Sequence, residues 1–263
     1  MLKGLYTAYS GMINEQNRMD VLTNNLANAA TTGFKKEGTT SQGFDNVLAY
    51  RIKDLTGNGL PNSAWIGVGT PGVKLGETFT DFSQGAFHET GNTYDFALSG
   101  DGFFNIEFTS KTGEKTIMYT RDGSFTLTKE CVLVTQVGAF AMGEGANGEA
   151  VKIQLDPTQP ANIDRSGRIV QGDEVKGQLK LTDFEDMNFI EHYGENFYRP
   201  VEGATFKEAD AEVYSGYLET SNVQVVSEMV NLISVTRQYE SNQKIVQAYD
   251  ESLEIAVNQI GKL

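Results

Sequence analysis

The sequence predicts an α+β fold: long N- and C-terminal helices pairing as a coiled coil, with a central, mostly antiparallel β domain between them. Three observations predict it. Apolar residues recur at alternating threes and fours near both ends of the 263-residue chain. Glycine is concentrated in the middle, with 22 of the 28 in residues 51–221. That stretch also holds 26 of the 35 acidic residues and 14 of the 21 basic ones, hence twelve of the fourteen units of net negative charge. The ends are nearly neutral and glycine-poor.

The N-terminal stripe runs Leu5, Tyr9, Met12, Met19 and Leu26, with Gln16 and Leu22 on the same seam. Such spacing is a heptad pattern. Asn28, Thr31, Thr32 and Gly33 then end the helix, the glycine suiting a C′ position. The C-terminal stripe is longer: Val225, Glu228, Leu232, Val235, Tyr239, Asn242, Val246, Tyr249, Leu253, Ala256, Ile260 and Leu263. Ser221 and Gln224 have the spacing of a capping box at its start. A helix of roughly 40 residues would be about 60 Å long, a length that suggests a coiled coil. Asn242 on the seam would fix register. A long amphipathic helix must bury its stripe, and two such stripes flanking a β body are expected to pair with each other or with other copies.

The middle reads as short strands and turns. Residues 116–120, 121–124 and 125–128 are strand, turn, strand, the pattern of a hairpin. Residues 162–170 form a second hairpin, which 175–181 continues. A sandwich or irregular barrel follows from strands of this frequency. Residues 54–76 are rich in Gly, Asn and Ser, so 34–80 is expected as an extended linker that orders on assembly. The divisions expected are therefore 1–33 with 222–263 as a helical coiled-coil layer, 34–80 as linker, and 81–221 as a β-rich outer domain.

Composition excludes several function classes. A pI near 4.6 is wrong for a nucleic-acid binder, which must replace phosphate counterions. No run of 18 apolar residues suggests a membrane helix. The first seven residues lack the apolar region and cleavage site of a secretory signal. One cysteine, Cys131, allows no intramolecular disulfide framework, and its apolar run 131–134 suggests a buried, inert thiol. Gly143 to Gly148 matches G-x-G-x-x-G, but the alternation of 149–155 indicates a strand where a dinucleotide site needs a helix. Asp164, Ser166 and Gly167 suit a hairpin turn and lack the ligand spacing of a calcium loop. His88 and His192 accompany no ligand cluster, and no metal or other cofactor is expected. Trp65 lies in the extended segment as a possible packing anchor. Asp183, Glu185 and Asp186, or Asp95 and Asp101, would be the carboxylates of an enzyme acting on cell-wall glycan, the competing reading of another class.

A set of ordered motifs points elsewhere. They are residues 25–36 (NLANAATTGFKK), 84–92 (QGAFHETGN), 97–104 (ALSGDGFF), 119–125 (YTRDGSF), 216–223 (GYLETSNV) and 237–244 (RQYESNQK). In this order and spacing the chain resembles the bacterial flagellar rod and hook axial protein family, most closely its rod proteins, over nearly its whole length. Asn25, Asn28, Gly33, Phe34, Gly216, Leu218, Glu219, Ser221, Asn222 and Val223 are the residues that match its two terminal signatures. The resemblance implies a structural subunit and no enzyme. It implies export by the flagellar type III apparatus without a cleaved signal, and helical stacking with itself and neighbouring rod and hook proteins in the hollow shaft of the basal body. The length of the stretch from Gly33 to Gln84 resembles the distal rod subtype; the proximal rod protein is the nearest alternative. Two departures stand out: Cys131 occupies a turn position where the family has glycine, and Thr236 stands where Gln is common.

Overall fold

A computed structural model describes residues 2–53, 62–110, 113–145, 150–156, 161–172 and 174–260. The chain divides into two units. One comprises Met1–Leu26, Glu37–Thr80 and Val225–Leu263; the other comprises Ala27–Lys36 and Asp81–Gln224.

The first is the helical unit. Helix α1 spans Leu2–Ala27 and helix α2 spans Val225–Ile255, continued by one wider turn over Ala256–Ile260. The apolar period predicted both. Ser221 does not cap α2: the helix begins at Val225, and the Ser221 hydroxyl accepts from the Val223 amide (3.2 Å), closing a turn one step upstream. The capping box is therefore not formed, because 222–224 leave the helical path.

Residues 37–53 and 62–80 run as a two-stranded antiparallel ribbon. Glu37–Gly43 pairs with Val73–Thr80, and Val47–Lys53 pairs with Asn62–Gly69. Each pair is interrupted by one register shift, at Thr39/Ser41 and at Ala49/Tyr50. An extra residue on one strand bends and twists a ribbon at such points. The backbone at Trp65 belongs to this ribbon, and residues 54–61 and the Trp65 side chain lie outside the described residues.

The second is the β unit. Its largest sheet runs in the order 161–163, 168–171, 174–179, 140–144, 103–109, 115–120, 197–200, 190–194, with every pairing antiparallel. Successive side chains on a strand point to opposite faces. Here both faces are buried. Phe104, Met118 and Phe197 enter the main core with Leu98, Ile106, Leu133 and Ile169. Their neighbours Phe103, Tyr119 and Tyr198 build a second, aromatic cluster with Phe184. Rings there meet edge-on, Tyr119 and Phe184 at 4.9 Å between centroids, a favoured aromatic arrangement.

One expected hairpin is a correction. The turn at 121–124 exists, but Lys115–Thr120 pairs with 103–109 and 197–200, while Phe125–Leu127 pairs with Leu133–Thr135. The Phe96 amide donates to the Gly123 carbonyl (3.0 Å), which hands the chain to a different set of strands. The 161–171 hairpin and its extension form as expected. Phe140–Glu144 and Ala150–Lys152 pair across the glycine motif, strand to strand, with 146–149 outside the described residues.

Cys131 is not buried. It is half-exposed on a turn, at φ 63°, in the left-handed region. Its amide donates to the Thr128 carbonyl (2.9 Å), and that bond sets the bend. The conformation suits glycine, and Cys131 adopts it nonetheless.

Candidate assembly surfaces

Gly33, Phe34, Glu219 and Asn222, from the two terminal signatures, meet in one junction of the β unit. The chain enters it through Thr32, Gly33, Phe34 and Lys35 and returns through 81–85, 121–122 and 219–222. Gly33 takes φ 67° and donates its amide to the Glu219 carbonyl (2.8 Å). A Cβ there would run into the Arg121 and Asp122 backbone. Phe34 is buried beside it. Lys35 and Glu219 are wholly buried and 2.7 Å apart. The Lys35 ammonium also donates to the Ser83 carbonyl (2.9 Å), and the Gly85 amide donates to Glu219 Oε1 (2.8 Å). Arg121 lies on the far side of Glu219, 3.5 Å from Oε2, donates to the Gly100 carbonyl (2.9 Å) and sits over the Phe103 ring.

Asn222 ties three strands of backbone together. It accepts from the Lys36 amide (2.8 Å) and donates to the Asp81 and Ser83 carbonyls (2.8 and 3.2 Å). Thr32 donates to Asp122 Oδ1 (2.7 Å), which also accepts from the Ser124 amide and hydroxyl. Gly216 bonds Asp95 and Thr90 through its backbone, Leu218 pairs with His88, and Val223 is buried. Asn28 closes the turn after α1 by accepting from Thr31. Burial pushes the Lys35 ammonium below the usual lysine range, against the pull of Glu219. Burial likewise pushes the Asp122 carboxyl up, opposed by the bonds from Thr32 and Ser124. A buried charge is tolerable only when paired and hydrogen-bonded; Lys35 and Glu219 Oε1 meet that condition, whereas Glu219 Oε2 faces Arg121 Nη1 at 3.5 Å as an ion pair without a hydrogen bond. The chemistry of the junction is that of a clasp.

In the helical unit, Asn25 is buried and bonds both backbone groups of Glu37, 2.8 Å to the carbonyl and 3.0 Å from the amide. Asn14 donates to Ser41 (3.0 Å). Tyr249 and Asn242 of α2 lie against Gly4 and Gly11 of α1. A Cβ on Gly11 would stand 3.0 Å from Asn242 Nδ2, and one on Gly4 would overlap the Tyr249 hydroxyl. The order of these contacts makes the helices antiparallel. Along α2 the least exposed positions are Glu228, Leu232, Val235, Tyr239, Asn242, Val246 and Tyr249, with Leu253 more open. The Ile260 side chain and Leu263 lie outside the described residues. On α1, Leu5, Met12, Met19 and Leu26 are half-buried and Tyr9 is 53% exposed. The residues of α1 held most closely are Ala8, Asn14 and Asn25, small or amide side chains that an apolar count passes over.

Lys35, Arg121 and Asp122 are the junction residues that sequence reasoning quoted inside motifs without assigning a role. A run of identities does not show which members touch. Of the candidate glycosidase acids, Asp95 accepts from Thr90 and Asn92, Glu185 from Thr205 and Asp186 from the Asn188 amide, while Asp183 is buried 3.9 Å from Lys207. Among the described residues no group of three His, Cys, Asp or Glu could hold a metal ion, and no helix is long and apolar enough to cross a membrane.

Three family models match the chain. Residues 5–35 match the flagella basal body rod protein model, 97–172 the flagellar hook protein FlgE/F/G D1 domain, and 214–260 the flagellar basal body rod FlgEFG protein C-terminal region. The chain is 34% identical over 265 residues to the flagellar basal-body rod protein FlgF of Caulobacter vibrioides, covering all of both chains. It is 34% identical over 280 residues to FlgG of Bacillus subtilis, covering 98% of this chain and 99% of that one. It is also 30% identical over 284 residues to the hook-basal body complex protein FlhO of the same organism, covering all of both. With relatives of this closeness along its full length, the chain belongs to the flagellar basal-body rod proteins and is a structural subunit of that rod.

Proposed function

We propose that the subunit polymerises helically into the hollow drive shaft, with α1 and α2 paired as a coiled coil, and that it occupies the distal rod. The observation that supports this most is the apolar surface the helical unit leaves in water. Tyr6, Tyr9 and Ile13 on α1 and Val226, Met229, Val230 and Ile233 on α2 are all exposed. Burial of such surface on assembly would couple helix order to polymerisation. Contacts between two different surfaces, repeated by a screw operation, extend without closing, which is the symmetry of a shaft. Torque then passes through packed interfaces and no catalytic residue takes part. Entry through the flagellar type III export apparatus, without a cleaved signal, belongs to the same reading.

The distal position rests on the length of the ribbon between the two halves of the clasp, since FlgF and FlgG relatives match at equal identity. Electron microscopy of basal bodies from a strain lacking this chain tests both parts. A rod that stops below its distal end is expected. A shorter stub would place the subunit proximally, and a full-length rod would exclude it from the shaft. A chain deleted of 1–30 or of 222–263 is expected to be absent from basal bodies and to abolish swimming.

A further inference from the structure

The first turns of α2 carry two apolar faces, and its own chain covers one. Glu228, Leu232, Val235 and Tyr239 form the covered stripe. On the opposite side Val226, Met229, Val230 and Ile233 are exposed, Val226 by 76%. Their spacing is i, i+3, i+4, i+7, the pattern of anchors by which a helix seats in a groove. Residues 229–236 contain no charge, whereas Arg237, Glu240, Lys244, Asp250, Glu251 and Glu254 follow in the rest of the helix. An exposed helix face ordinarily carries such charges.

A matching groove lies elsewhere in the helical unit. It has a volume of about 510 Å³ and is walled by Tyr6, Tyr9 and Ile13 of α1 and by Phe44, Val73 and Leu75 of the ribbon. Lys74 at its edge is its charged lining residue. Neither surface therefore brings an unpaired buried charge to the other beyond one lysine at the rim. Within one chain they cannot meet. Asn242 and Tyr249 turn the covered stripe of α2 toward α1, so the uncovered face points away from the helix that walls the groove.

We propose that Val226, Met229, Val230 and Ile233 of one copy seat in the Tyr6–Tyr9–Ile13–Phe44 groove of the next copy. The proposal rests on the helical-polymer reading and assigns it a donor face and an acceptor groove. Because the two surfaces differ, each added copy leaves one of each free, and growth continues.

The test places Ile13→Cys and Ile233→Cys together in a Cys131→Gly full-length chain and oxidises purified basal bodies. A ladder of disulfide-linked copies of this chain is expected, with neither single-cysteine variant forming one. Basal bodies that contain the double variant at the normal level but yield no ladder would overturn the interface and leave the polymer reading standing. Cross-links to a different rod protein would overturn it equally. Absence of the unaltered chain from basal bodies would instead defeat the polymer reading. If the double variant does not enter basal bodies, a charge swap decides. Ile233→Lys and Tyr9→Asp should each lower incorporation about ten-fold or more, and the pair should restore it; failure to restore overturns the proposal.

Discussion

Glu219 and Val230 stand eleven residues apart in the sequence and in opposite circumstances. Glu219 is a charge with no access to water, held by Lys35, Arg121 and the Gly85 amide. Val230 is an aliphatic side chain 61% exposed on a helix. Around Glu219 the β unit has internalised polar groups; around Val230 the helical unit has left apolar groups outside. The difference separates two tasks. On the proposed reading the clasp would hold the β unit to one structure before any neighbour arrives, and the helical unit would keep surface in reserve for the neighbour. A subunit that must be ordered in one part and adhesive in another divides its sequence between the two, with the changeover at the clasp.

The sharpest way to break this comparison is to remove the central charge. Glu219→Gln keeps the shape and leaves Lys35 and Arg121 buried with their shared partner neutralised. Loss of one member of a buried ion pair costs about 3–5 kcal/mol. The urea midpoint of the β unit should fall accordingly, with the slope unchanged. A loss under about 1 kcal/mol would mean that the clasp is relaxed by water and that the contrast with α2 is overstated.

A second variant questions the helical side. Gly11→Leu improves the intrinsic helix propensity of α1 by nearly 1 kcal/mol. If Asn242 lies where the structure places it, the new side chain displaces α2 and costs about 1–3 kcal/mol net of that gain. The sign decides between them: a more stable helical signal by far-UV circular dichroism means that the helices do not pair in the free chain, and a less stable one that they do.

Much of this was legible in advance because it is local. The α2 stripe is a period, and Leu232, Val235, Tyr239 and Asn242 occupy the face it marks. The 161–171 hairpin is a turn between strands that pair with their neighbours in sequence. What was not legible is long-range. Residues 115–120 and 125–127 look like hairpin partners, and the Phe96–Gly123 bond, across 27 residues, with the neighbouring Asp95–Ser124 bridge, separates them. The clasp joins Lys35 to Glu219 across 184 residues, and no spacing rule connects them. On α1 an apolar count selects Leu5, Met12 and Met19, which are half-buried, and passes over Gly4 and Gly11, where α2 approaches closely, because hydrophobicity does not register glycine. The uncharged outer face of α2 is visible in 229–236, but a heptad period marks one stripe of a helix and not two.

A smaller effect isolates backbone strain from either unit's contacts. Cys131 holds φ 63° on a half-exposed turn. Left-handed geometry costs an ordinary residue about 1–2 kcal/mol, and glycine loses part of that advantage to its freer unfolded chain. Cys131→Gly should therefore stabilise the β unit by about 1 kcal/mol, read as a rise in Tm, and should leave the helical signal unmoved. A fall in Tm would show that the thiol packs more than its exposure indicates.

The smallest effect concerns Asp122, and its value lies in the pH profile. Its carboxyl is pushed above the ordinary 3.8 because burial disfavours its charge more than Thr32 and Ser124 favour it. Below 3.8 both folded and unfolded states carry the proton, and the group's favourable contribution is fully present. As pH rises, the unfolded chain ionises first. Stability then drains away until the folded carboxyl ionises too, and the loss is complete above its raised pKa. Asp122→Asn keeps the acceptor that Thr32 and Ser124 use and removes the titration. The variant should lose less stability than the parent between about pH 4 and neutrality, and should equal or exceed it at pH 7. Parallel profiles would mean that Asp122 ionises freely, and the clasp would then have an open, hydrated side at Thr32, of the kind that distinguishes the helical unit.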